Sequence, residues 1–337
     1  MTSFPGSLRA LASAALALAT SAAFAAPPQY HLVPIDIAAA YAISATGDVG
    51  GNGVPEEELP APVVVRAGTR VVLPCPDEGY GDVYGINGAG LAVGTCATDS
   101  GPVNTMWGTD DQGVPVGTLG GDLGISWGVN DAGDLAGQSW LPGNLVHHAF
   151  VRHDGALQDL GTLGGTNSVA YAINANGVVA GAAEVVPGNA RTHAFVYQDG
   201  RMTDLGTFGG PGSKATALNI HGHVVGSAEY RGKGHPARAF LWNGHRKIDL
   251  GSIGGDSVAT GINQHDVVVG QSQRNIHTVP IGWVWIKGSI YRLDDVSDAR
   301  QQGYAVNDVT GIADDGTIIG WWIDTRDFHA FKLVPIQ

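Results

Sequence analysis

The amino-acid sequence predicts an all-β protein, a seven-bladed β-propeller of four-stranded antiparallel blades closed by its N-terminal strand. Three observations predict it. A core phrase recurs seven times: a small residue, an aliphatic, usually Asn, two variable residues, usually Gly, a short aliphatic run and then Gly. Its Asn-equivalent positions are 44, 87, 130, 174, 219, 263 and 313, so the spacing is 43 to 45 residues until a final interval of 50. Fixed periods of roughly 40–45 residues mark propeller-type repeat architectures. Two hairpin turns fit inside each unit, and the last unit stops one strand short.

One unit, taken from Thr166 to Gly210, shows the logic. Ser168 to Asn174 forms a first strand, Ala175-Asn176-Gly177 a turn, and Val178 to Ala183 a β-branched second strand. After a variable loop, His193 to Tyr197 is the third strand, Asp199-Gly200 a hairpin turn and Met202 to Leu205 the fourth strand. Asn-Gly and Asp-Gly accept the positive φ that tight hairpins require. In the last unit Tyr304 to Ile312, Thr317 to Ile323 and His329 to Val334 supply three strands. Gln29 to Ile37, which ends in Ile35-Asp36-Ile37 like the fourth strands of other units, is expected to complete it.

Residues 1–25 have the pattern of a secretory signal. Arg9 is the sole charge before Asp36, Leu11 to Ala23 is small and apolar, Ala23-Phe24-Ala25 offers a cleavage site, and Pro27-Pro28 ends any helix. The expectation is one propeller domain over 26–337, secreted or periplasmic in a bacterium. Cleavage removes one basic residue and moves the net charge from −13 to −14. An acidic chain without a Lys/Arg cluster argues against nucleic acid and anionic membranes as partners, and no membrane insertion is expected. Cys75 and Cys96, the only cysteines, are expected to form a structural disulfide joining two loops. A monomer without cofactor or metal is the expected state.

His148-Ala149-Phe150, His193-Ala194-Phe195 and His329-Ala330-Phe331 repeat in register. So do Asp159-Leu160-Gly161-Thr162-Leu163-Gly164-Gly165 and Asp204-Leu205-Gly206-Thr207-Phe208-Gly209-Gly210. Together they resemble the HAF-repeat family of extracellular bacterial proteins. The resemblance covers nearly the whole chain after the signal and is weakest over 38–121. It implies export and repetition, and it carries no catalytic residues onto this sequence.

The same regularity argues against chemistry at those positions. A metal site needs convergent ligands rather than one His per blade, and Asp159, Asp204 and Asp249 suit backbone-binding turns. The core-phrase Asn likewise suits a turn. No Gly-x-Ser-x-Gly elbow is present, and the Gly-Gly pairs lack a following Gly-Lys-Ser/Thr. Asp294 to Asp298 and Glu56-Glu57-Glu58 are expected to be solvated acidic loops, with Ca²⁺ the weaker alternative because the calcium-loop spacing is absent.

The irregular loops after each second strand remain, at 51–62, 95–104, 138–146, 182–192, 227–237, 271–280 and 321–328. They gather Trp140, Glu184, Arg191, Glu229, Tyr230, Arg231, Arg274, His277, Trp321, Trp322, Asp324, Arg326 and Asp327 on one face. Variable loops on a rigid scaffold are where binding concentrates. The sequence therefore points to a non-catalytic module that binds a protein or glycan through this face. A polysaccharide hydrolase or lyase on the same scaffold is the alternative.

Overall fold

The computed structural model describes residues 27–336 except 54–59, 76–78, 99–100, 235, 276–277 and 324–326. The proposed signal segment 1–25, the Glu56-Glu57-Glu58 cluster, and His277, Asp324 and Arg326 lie outside the described residues.

Seven four-stranded antiparallel sheets form a seven-bladed propeller. Blades 1 to 6 span 39–72, 81–115, 124–159, 168–204, 209–251 and 256–292, each running in chain order from the axis outward. Blade 7 takes three strands from 308–335, and its outermost strand is Tyr30–Ile35, antiparallel to Phe328–Pro335 with Leu32 opposite Leu333. The N-terminal strand thus closes the ring, as expected from the missing C-terminal strand.

The long final interval has a structural reason. Residues 293–307 fold into two short 3-10 turns that cover the outer edge of the closing strand. Leu293, Val296, Ala299 and Val306 pack with Tyr30 and Leu32. The Tyr30 amide donates to Val296 O (2.9 Å) and the Leu32 amide to Asp298 Oδ1 (2.8 Å). Asp294 is buried, held by Arg292 at 2.7 Å and by the Val306 amide at 2.9 Å. The acidic cluster is therefore not a solvated loop. Its carboxylates are used to fasten a cover over an otherwise open sheet edge.

The repeated motifs are packing devices. Phe150, Phe195, Phe240 and Phe331 are fully buried, with Trp283 in the same place in blade 6. Each ring lies against the terminal Gly of the core phrase. A Cβ on Gly181 would run into both the Val169 carbonyl and the Phe195 ring, so only glycine fits. His148 Nδ1 bonds the Asp159 carboxylate at 2.8 Å, and His193 Nδ1 bonds Asp204 at 2.8 Å. The same carboxylates accept the amides of Gly161 (2.7 Å) and Gly206 (2.6 Å), and Asp249 accepts that of Gly251 (2.7 Å). The repeated His and Asp thus brace a blade's own outer hairpin and leave no convergent metal set; among the described residues no cluster of three or more metal-ligating side chains occurs.

Cys75 and Cys96 are bonded, with Cα atoms 5.5 Å apart. Cys75 follows blade 1, but Cys96 sits inside a strand, Ala92–Thr98, and is fully buried, so the bridge does not join two loops as expected. It staples blade 1 to blade 2. Among the described residues no helix is long and apolar enough to cross a membrane.

Candidate functional site

The innermost strands of all seven blades surround a central channel. Every one of them carries a β-bulge at the same repeat position. The unpaired residues are Tyr41, Tyr84, Trp127, Tyr171, Thr216, Thr260 and Thr310. A bulge leaves one residue outside the ladder and re-aims its side chain. The small residue that follows it lets neighbouring inner strands approach: a Cβ on Gly261 would sit 3.2 Å from the Gly311 Cα. One step further, Ile43, Ile86, Val129, Ile173, Leu218, Ile262 and Ile312 form an aliphatic collar around the axis. The collar divides the channel into a turn end and a loop end.

At the turn end lies a vestibule of about 370 Å³, lined by the core-phrase Asn residues. Each Asn does two jobs. Its carbonyl oxygen closes its own turn: Asn174 Oδ1 accepts the amides of Asn176 and Val178, both at 3.0 Å. Its amide then donates to the backbone carbonyl of the next blade's equivalent residue. The links run from Asn87 to Asn130 O (2.8 Å), Asn130 to Asn174 O (3.1 Å), Asn174 to Asn219 O (2.9 Å), Asn219 to Asn263 O (3.1 Å) and Asn263 to Ala313 O (3.3 Å). This girdle joins blades 2 to 7. It has no link at blade 1, where Ser44 only closes its own turn through the Asp48 amide at 3.1 Å. The disulfide spans the blade 1–2 interface that the girdle leaves open.

At the loop end the strands diverge. Tyr41, Tyr84, Trp127 and Tyr171 form an arc over four consecutive blades, with ring centroids 5.8, 4.6 and 5.8 Å apart. Tyr41, Trp127 and Tyr171 line a chamber of about 210 Å³. In blades 5 to 7 the same position is Thr. Thr216 donates to Ala259 O at 2.7 Å and Thr310 to Ala40 O at 2.8 Å, so these hydroxyls tie neighbouring blades together.

Polar side chains stand two residues nearer the loops and reach toward the preceding blade. Asp82 accepts Asn52 Nδ2 at 2.7 Å and the Tyr84 hydroxyl at 3.1 Å. Lys214 Nζ sits 4.1 Å from the centre of the Tyr171 ring. Lys214 is exposed at its surface, yet the protein packed around its ammonium desolvates it and holds it below the ordinary lysine range. Burial pushes the Asp308 carboxyl up, partly offset by a hydrogen bond with Gln271. Burial, then the Asp82 charge, raises the Tyr41 and Tyr84 phenols. Among the described residues neither Lys214 nor Asp308 has an ionic partner. Two buried polar atoms beside the arc, Asn52 Oδ1 and Trp127 Nε1, also lack a hydrogen-bond partner.

The residues expected from the loops scatter. Trp322 is buried at 7% exposure, its ring packed on Tyr304, His329 and Phe331, so it belongs to the core rather than the rim. The β alternation that exposes Trp321 turns its neighbour inward. Glu184 is engaged at the start of blade 4 by the Thr166 amide and Asn167 Nδ2, which hold its carboxyl below the usual range. Glu229 serves the same purpose at Gly212. Tyr230 stacks on Phe208 and donates to Asp249 at 2.9 Å. Trp140 pairs with His147, Arg191 is exposed in the strand Asn189–Gln198, and Arg231, Arg274 and Asp327 are exposed on separate loops. Trp321 alone of this set within the described residues borders the arc. It packs on Phe328 and lines, with Tyr41 and Asn52, an apolar cleft of about 290 Å³.

The arc itself was not among the expected site residues. Its signal lay in the residue just before the core phrase, aromatic in four successive units and Thr in three.

No protein-family model matches the chain, and no curated protein does. Among solved structures, the β-propeller domain of the trilobed protease from Pyrococcus furiosus is similar in fold. The TM-score is 0.54 at 11% identity, over 90% of this chain and 95% of that one. That domain is described as having an open velcro topology, whereas the last blade of this chain is completed by the N-terminal strand. TolB from Acinetobacter baumannii matches at a TM-score of 0.44 and 14% identity over 63% of this chain, which spans about half (51%) of the TolB chain. A gluconolactonase from Xanthomonas campestris matches at 0.41 and 10% identity, over 84% of this chain and 99% of that one.

Proposed function

We propose that this chain is an exported, non-catalytic binding module of the HAF-repeat type, and that its ligand seats in the chamber at the loop end of the channel. The observation that carries the reading is the aromatic arc. Three blades fill the bulge with Thr, and in two of them the hydroxyl also bonds the next blade, so the fold does not require a ring there. Four adjacent blades nevertheless hold one. Ligand sites are concave and combine aromatic walls with a few oriented polar groups; this chamber has Tyr41, Trp127 and Tyr171 in its wall, with Lys214 over Tyr171 and Asp82 at Tyr84 beside it. The irregular loop rim, with Trp321 beside Tyr41, then forms the approach to the chamber. Export rests on the signal-like segment and fits a disulfide-bonded chain.

The test is a combined glycan-array and pull-down screen of residues 26–337, in wild-type, Trp127→Ala and Trp321→Ala forms. Capture lost with Trp127→Ala and weakened with Trp321→Ala supports the chamber with its rim. Capture indifferent to Trp127→Ala places the ligand elsewhere and ends the reading.

A polysaccharide hydrolase or lyase is the second reading, and Asp308 is the observation that favours it. Burial raises this carboxyl above the ordinary aspartate range, the direction a general acid needs. Turnover of a glycan that disappears with Asp308→Asn would transfer the case to an enzyme.

A further inference from the structure

We infer that the chamber receives a neutral pyranose ring at the end of a saccharide chain, its C–H face against the wall of Tyr41, Trp127 and Tyr171 and its hydroxyls toward the polar groups beside the arc, Lys214 over Tyr171 and Asp82 at Tyr84. This rests on the binding reading above and names the ligand class for the same site.

Four features lead to it. The rings are tilted to one another by 37–53°, giving a curved wall of aromatic faces rather than one flat slot. Such a wall suits a ligand with apolar faces and a polar edge. The polar groups carry both signs, and none among the described residues is paired with an opposite charge. An anion would satisfy Lys214 and meet Asp82 and Asp308; a cation would do the reverse. A hydroxyl donates to a carboxylate and accepts from an ammonium, so a polyol suits both signs without bringing a charge of its own. Lys214 and Asp308 are both shifted toward their neutral forms by the protein packed around them.

Size and depth give the rest. About 210 Å³ is below the roughly 300–1,000 Å³ of pockets that hold drug-sized ligands, which favours one ring over an extended ligand. Beneath it the collar presents aliphatic side chains, six of which border the chamber, with Leu218 completing the ring on the vestibule side. Saccharide hydroxyls would be stripped of water there without replacement hydrogen bonds. A chain passing through the channel is therefore disfavoured, and a chain end is what the chamber accommodates.

The experiment is titration calorimetry of residues 26–337 with cellobiose, maltose, laminaribiose, xylobiose and N,N′-diacetylchitobiose. Digalacturonate, choline, glycine betaine and an aromatic tripeptide serve as contrasts. Trp127→Ala, Trp127→Phe and Lys214→Met are measured in parallel, with thermal melts confirming that each is folded. The inference expects at least one neutral disaccharide to bind. It expects affinity to fall about tenfold or more in Trp127→Ala, to recover in large part in Trp127→Phe, and to fall less in Lys214→Met. Binding of digalacturonate, choline, betaine or the peptide alone, abolished by Trp127→Ala, overturns the saccharide class and leaves the chamber as a site. Saccharide binding unchanged by Trp127→Ala overturns the chamber, and binding by none of the probes overturns the inference.

Discussion

At the turn end of the channel, five blades present the same Asn to the same carbonyl of the next blade. At the loop end, the same inner strands present Tyr41, Tyr84, Trp127, Tyr171 and three threonines, with Asp82, Lys214 and Asp308 two residues away. The two ends are built on one strand in each blade, only a few residues apart. One end has been kept in register because each Asn satisfies buried groups in two blades. The other holds groups that the fold does not need: an ammonium and a carboxyl without ionic partners, and two buried polar atoms without hydrogen bonds, among the described residues. Repetition marks where the structure is held together, and departure from repetition inside a conserved geometry marks where it has been put to use.

The largest expected effect concerns the gap in the girdle. Cys75→Ser with Cys96→Ser removes a crosslink across 21 residues at the blade 1–2 interface, one of the two flanking blade 1 that have no Asn link. The chain-entropy account expects a loss of about 3 kcal/mol, read as a lower denaturant midpoint. An unchanged midpoint would mean that the bridge does not support this interface.

Next, Asn174→Ala should cost about 2 kcal/mol, because it deletes one link to blade 5 and leaves the Asn176 and Val178 amides without their acceptor. Trp127→Phe at the other end should cost less than about 1 kcal/mol. The comparison fails if the two substitutions prove equal in thermal melts.

The chamber residues sharpen it through pH. Lys214 has its folded pKa below the ordinary lysine value of 10.5, so its charged form is disfavoured by folding and the cost fades as pH rises toward 10.5. Asp308 has its folded pKa above 3.8, so its contribution is most favourable below that pH and is lost as pH rises through the folded value. Lys214→Met and Asp308→Asn should therefore each raise the melting temperature near neutral pH. The first advantage should shrink in alkali and the second in acid. Melts at pH 3, 7 and 10 test both, and destabilisation at pH 7 by either would show that the chamber's charges serve the fold.

The smallest effect extends the girdle. Ser44→Asn and Ala313→Asn supply the amides missing at blades 1 and 7, and each should stabilise by about 0.5–1 kcal/mol. No gain from either would mean that the interfaces around blade 1 do not share the geometry of the others.

The fold was legible because repetition multiplies weak signals. One Asn-Gly turn says little, but seven core phrases with a missing last strand led directly to a ring closed by Tyr30–Ile35. The structural duty of His148, His193, Asp159 and Asp204 followed from the same regularity, and the disulfide from there being two cysteines in a chain read as exported. The site was less legible. Loop variability drew attention to Trp140, Glu184 and Trp322, whose side chains are engaged in local contacts. Tyr84 and Trp127 look like ordinary strand residues until the bulge before each small residue turns them to the channel. Asp294 looked solvated because its partners, Arg292 and the Val306 amide, come together only when residues 293–307 fold over the closing strand.

The most direct test of the central claim is one ligand titration on two variants of comparable fold integrity, Asn174→Ala and Trp127→Ala. The account predicts that Asn174→Ala melts earlier yet binds the saccharide with unchanged affinity, while Trp127→Ala keeps most of its stability and loses binding. Retained binding in Trp127→Ala, or loss in Asn174→Ala while it is still folded, would contradict the division of the channel into a structural end and a functional one.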